Sequence, residues 1–68
     1  MTASSTRGSY TLTFEDAVRV HHMIWDGVLQ SRIAALFDVN SGRISEVNTG
    51  KLHPGSRDVA MANYKKSA

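Results

Sequence analysis

Three histidines, six carboxylates and a scatter of serines are the groups in this chain able to do chemistry, and their spacing decides which chemistry. His21 and His22 are neighbours, so on a helix their side chains point about 100° apart and do not close on one ion. No two histidines stand at i, i+4 and there is no cysteine, so neither a zinc-binding helix nor a thiolate site is spelled out. His21 falls on an apolar helical stripe, where a hydrogen-bonded structural histidine is the simpler reading, and His53 stands beside a proline turn. A serine nucleophile calls for a glycine-flanked elbow, which no serine here has; the Gly-Ser and Pro-Gly-Ser steps read as turns. Gly50-Lys51 lacks the upstream glycine of a phosphate loop. The expectation is therefore no enzyme, with no metal, no cofactor and no small-molecule substrate.

The charged groups are left to carry function. Eight lysines and arginines stand against six carboxylates, with an isoelectric point near 9.4. Residues 1–27 hold two arginines against three carboxylates, whereas residues 28–68 hold six cations against three. A basic second half suits a polyanionic partner without demanding one.

The elements that position these groups must come from little material. At 68 residues the chain lies below the roughly 100–200 of a typical domain, which leaves one small domain without a deep substrate cleft. A composition 41% hydrophobic and 21% charged is globular. No apolar run nears the roughly 18 residues of a membrane span, and Met1–Thr6 lacks the apolar stretch of a secretory signal. The expected location is cytoplasmic.

Residues 1–9 are rich in Ser, Thr and Gly and read as a disordered arm, with Tyr10-Thr11-Leu12 as the lead-in to the domain. Phe14, Ala17, Val18, His21, Ile24, Trp25 and Val28 then recur at helical spacing. Thr13 is placed to cap that helix, Glu15 and Asp16 suit its first turn, and Asp26-Gly27 stops it. A second helix spans Gln30 to Phe37. A third, capped by Asn40 or Ser41 and covering about 41–48, turns Ile44 and Val47 inward and ends at Gly50. His53-Pro54-Gly55-Ser56 is a turn, and residues 57–68 form a basic tail or a short helix. The predicted fold is all-α: a three-helix domain over residues 10–56, with room for a short fourth C-terminal helix.

Within Gln30–Gly50 the apolar and small residues fall in a specific order. Ile33 and Phe37 anchor one helix, Ala34 is small where two helices meet, Val39 plugs the turn, and Ile44 and Val47 hold the next helix. On these positions the segment IAALFDVNSGRISEVNTGK resembles the helix-turn-helix DNA-binding superfamily, in the manner of small phage, plasmid and bacterial regulators. The likeness covers Leu29 to about Lys51. It departs at Asp38, where the superfamily commonly has glycine because the backbone there is left-handed; Asp tolerates that conformation for about 1 kcal/mol.

The resemblance implies a sequence-specific transcriptional regulator that binds double-stranded DNA, with helix 3 in the major groove. Asn40, Ser41, Gly42, Arg43, Ser45 and Glu46 would then face the bases, Arg43 toward guanine or a phosphate and Glu46 toward cytosine. Gln30, Ser31, Lys51 and Arg57 would hold phosphates, joined by Lys65 and Lys66 in the tail, while Arg7 could reach a minor groove. A nucleoid-associated homodimer is expected, because one recognition helix binds weakly and two half-sites about 34 Å apart repair that. Its surface is sought among Val59–Tyr64 and on an outer side of helix 1 at Val20 and Met23. Two alternatives stand beside it: an adaptor or anti-activator that keeps the fold but binds another regulatory protein, a reading that the carboxylate of Glu46 favours, and a nucleoid or phage architectural protein that binds DNA without sequence preference.

Overall fold

The computed structural model describes residues 11–65, in which α1 (Phe14–Trp25), α2 (Gln30–Phe37), α3 (Ser41–Thr49) and α4 (Ser56–Asn63) follow one another without a strand among the described residues. The fold is all-α, and the fourth helix is formed. The expected arm at residues 1–9, with Arg7, lies outside the described residues, as do Tyr10 and Lys66.

Each helix begins and ends for local chemical reasons. Thr13 and Asp16 form a reciprocal capping box, the Thr13 hydroxyl accepting from the Asp16 N–H at 3.1 Å while the Asp16 carboxylate accepts from the Thr13 N–H at 3.0 Å. At α3 the cap is Asn40, whose Oδ1 accepts from the Gly42 N–H at 2.7 Å. Gly50 ends α3 at φ 85°, where the Lys51 N–H reaches back to the Glu46 carbonyl and the Gly50 N–H to that of Val47, so two of the terminal carbonyls are paired. Asp38 closes α2 at φ 58°, ψ 47°, the left-handed conformation expected at that departure from glycine.

α1 is the hub, packed against all three other helices and most extensively against α4, while α2 and α3 pack on each other across their short turn. Leu12, Ala17, Val20, Ile33, Ala34, Val39, Ile44 and Val47 form one buried cluster. Complete burial of a Val or Ile side chain contributes about 1.5–3 kcal/mol, which Val20, Ile33, Ile44 and Val47 each receive. Two expectations for α1 are corrected. Val20, sought on a dimer surface, is wholly inside the core, and Met23 packs against that core. Phe14, expected inside, is 42% exposed, its ring standing T-shaped to that of His53 with centroids 6.0 Å apart.

α4 is fastened by polar contacts that all reach far along the chain. His21 Nε2 and Ser56 Oγ share a buried hydrogen bond of 3.1 Å, His22 Nε2 donates to the Ala60 carbonyl at 2.9 Å, and the Tyr64 hydroxyl donates to Asp26 at 2.6 Å. Trp25 lies half-buried among these groups rather than in the apolar cluster, its ring 5.1 Å from that of Tyr64 and edge-on to it. His53 Nε2 donates to the Leu12 carbonyl at 2.7 Å, tying the lead-in segment to the loop before α4.

Candidate nucleic-acid interface

Ile44 and Val47 are fully buried, and this pair fixes the rotation of α3 about its own axis. The side chains between and before them must point outward. Asn40, Ser41, Arg43 and Ser45 are exposed, while Gly42 and Glu46 are half-buried. The six residues named for base reading therefore occupy one helix N-terminus and the outward face behind it.

Two of these side chains already have partners. Arg43 Nη2 donates to Glu46 Oε2 at 2.9 Å, one turn along the helix, with the two side chains 51% and 38% exposed. An exposed pair of this kind contributes about 0.2–1 kcal/mol, so a guanine or a phosphate competes for Arg43 at low cost. Asn40 spends its Oδ1 on the Gly42 N–H and keeps its amide NH2 for an outside acceptor. Gly42 has a structural reason of its own to be glycine, since a Cβ there would stand 3.2 Å from Asn40 Oδ1. The sequence reading treated Arg43 and Glu46 as independent contacts; their i, i+3 spacing was the signal for the pair.

The phosphate-binding candidates fall into two groups. Gln30 and Ser31 open α2, whose N-cap is Leu29 and provides no side-chain acceptor. The first amides of α2 thus remain available to an anion, favoured by the positive end of the helix. Lys51 is exposed just past the end of α3. Arg57 stands apart from Lys51 in role. Its guanidinium carbon lies 5.9 Å from the centre of the Trp25 ring, and the residue shares a recess of about 150 Å³ with Thr49, Gly50 and His21. Arg57 is therefore part of the α1–α4 junction as well as a surface cation. Thr49, one turn beyond Ser45 on α3, was not singled out, and its hydroxyl turns back to the Glu46 carbonyl at 3.3 Å.

His21 is 1% exposed, and its Nδ1 has no hydrogen-bond partner. Burial holds its pKa below the ordinary 6.5, and the positive charges of Arg57 and of His22 act in the same direction. The charged ring would carry a proton on each nitrogen, and the one on Nδ1 would have no acceptor. The hydrogen-bonded structural histidine expected on the α1 stripe is found here, and its partner Ser56 is the part that periodicity could not supply. The Tyr64 hydroxyl is raised above its ordinary value by the hydrogen bond to Asp26.

Among the described residues, no group of three or more His, Asp or Glu is placed to hold a metal ion, and no helix is long and apolar enough to cross a membrane. No protein family, curated protein or solved structure matches the chain.

Proposed function

We propose that the chain is a sequence-specific DNA-binding transcriptional regulator of helix-turn-helix type, in which α3 enters the major groove. One observation carries the reading. A short helix is locked against the core by Ile44 and Val47 and presents an outward face of small and polar residues, which is the shape a groove-reading helix needs. The left-handed turn at Asp38 and the close α2–α3 packing around the small Ala34 support it. In this account Arg43 exchanges Glu46 for a base edge or a phosphate, Asn40, Ser41 and Ser45 add hydrogen bonds, and Gln30, Ser31 and Lys51 set the register on the backbone. Two copies on a two-fold site supply the affinity that one short helix lacks. The protein would then act in the cytoplasm at the nucleoid.

Fluorescence anisotropy with labelled duplexes tests this. Arg43→Ala is expected to weaken all duplexes somewhat, because Glu46 is left unpaired, and to cost about 1–3 kcal/mol more on a preferred sequence, whereas Lys51→Ala weakens all duplexes alike and reduces the salt slope by about 1.

A second reading rests on a separate observation. Leu29 at the N-cap of α2 and Leu36 within it are 68% and 70% exposed, and the Arg43–Glu46 pair leaves the α3 face without net charge. An adaptor that binds another regulatory protein would use such a surface. Leu36→Ser would then abolish partner capture while Arg43→Ala left it intact.

A further inference from the structure

We propose that two copies of this chain associate through the outer face of α1 and the flank of α4, with Phe14, Val18 and Val59 at the centre and Glu15 of each copy against Arg19 of the other. This deepens the dimer reading above, and its test contains no DNA, so failure of the one is distinguishable from failure of the other.

Phe14, Glu15, Val18, Arg19, His22, Val59 and Asn63 line a single open groove between the two helices. Phe14 and Val59 are 42% and 40% exposed, and Val18 is half-buried beside them. Among the described residues, Phe14 and Val59 stay outside the buried apolar cluster. Glu15 and Arg19 stand four apart on the same helix face, the spacing at which a carboxylate N-terminal to a cation pairs along a helix. Among the described residues neither has an ion-pair partner, the one such pair being Arg43–Glu46.

The pattern is complementary to itself. A two-fold axis lying outside α1 against this face, level with the midpoint of Glu15 and Arg19, lays the helix antiparallel beside its copy. Since four residues rise about 6 Å along a helix, Glu15 then faces Arg19 of the second copy and Arg19 faces its Glu15. The two Val18 side chains meet beside the axis, and each Phe14 comes over the apolar flank of the other copy. A self-complementary patch of this kind defines a closed two-fold contact. The groove on α2, bounded by Val28, Ser31, Arg32, Ala35 and Leu36, has a cation and no carboxylate and lacks this property. None of the residues of the α1–α4 face belongs to α2 or α3.

Sedimentation equilibrium of the full chain across ionic strengths decides the matter. The wild type is expected to dimerise, less strongly as salt rises. Glu15→Lys and Arg19→Glu, each alone, set like charges face to face at two symmetric points and are expected to weaken association by about tenfold or more. An equimolar mixture of the two single variants restores both attractions and is expected to dimerise again, as is the double variant E15K/R19E. Far-ultraviolet circular dichroism checks that each variant stays helical. A monomeric wild type, a dimer that both single variants leave unchanged, or a mixture that stays monomeric would overturn the proposal.

Discussion

Arg43 and Glu46 are joined across 2.9 Å on the outward face of α3, so the residue best suited to a guanine is held by the residue best suited to a cytosine. The pair keeps the free helix neutral where it would meet DNA, and it makes the two contacts interdependent.

Removing the carboxylate therefore acts on Arg43 as well. Glu46→Gln is expected to strengthen binding to all duplexes and to steepen the salt dependence by about one counterion. Preference at the base read by Glu46 is lost at the same time. Anisotropy titrations at several salt concentrations measure both effects.

Asn40 separates folding from binding. Its carbonyl oxygen caps α3, so Asn40→Ala is expected to cost about 1 kcal/mol of stability. Asp keeps the cap and suits the positive helix end, so Asn40→Asp should unfold in urea at or above the wild-type midpoint. It nevertheless brings a negative charge to the helix end proposed to face DNA and should lose affinity for every duplex.

How much of this was legible in sequence differs between the two halves of the chain. Ile33, Ala34, Val39, Ile44 and Val47 fall inward, and Asn40 or Ser41 and Gly50 fall at caps, on local spacing and one short turn alone; the structure selects Asn40. α1 was harder. Its apolar residues at positions 14, 17, 18, 20, 23, 24 and 25 run nearly around the helix, so periodicity alone admitted Phe14 to the core and left Val20 outside. The burial of Val20 follows from α1 being packed on several sides at once, a tertiary fact. The same holds for α4, whose bonds to His21, His22 and Asp26 span 35 to 38 residues. Within the candidate site, the outward placement of residues 40–46 was legible, whereas the contact of Arg57 with Trp25 depended on how α4 docks.

The buried His21 makes stability depend on pH. Its pKa is lowered in the folded state, while the unfolded chain titrates near 6.5. As pH falls below about 6.5 the unfolded state takes up a proton that the folded state refuses, so stability declines until the folded pKa is passed. Urea midpoints between pH 7.5 and pH 5 should fall in the wild type and fall less in His21→Gln. Ser56→Ala, which leaves the ring without its partner, should cost about 1–3 kcal/mol at pH 7.5.

Asp38 holds a left-handed backbone at φ 58° with a side chain that tolerates it only at a cost. Asp38→Gly should raise stability by roughly 0.5–1 kcal/mol, seen as a higher melting temperature by circular dichroism. DNA affinity should not change, because the turn geometry is the same.

Selection from a random pool of DNA duplexes at stepped salt, run in parallel for the wild type and Arg43→Ala, tests the central claim most directly. The account predicts that the wild type enriches a motif with two-fold symmetry and that the variant loses preference at symmetric positions within it. No retention of DNA even at low salt, or the same motif enriched by both proteins, would contradict the assignment of α3 as the reading helix.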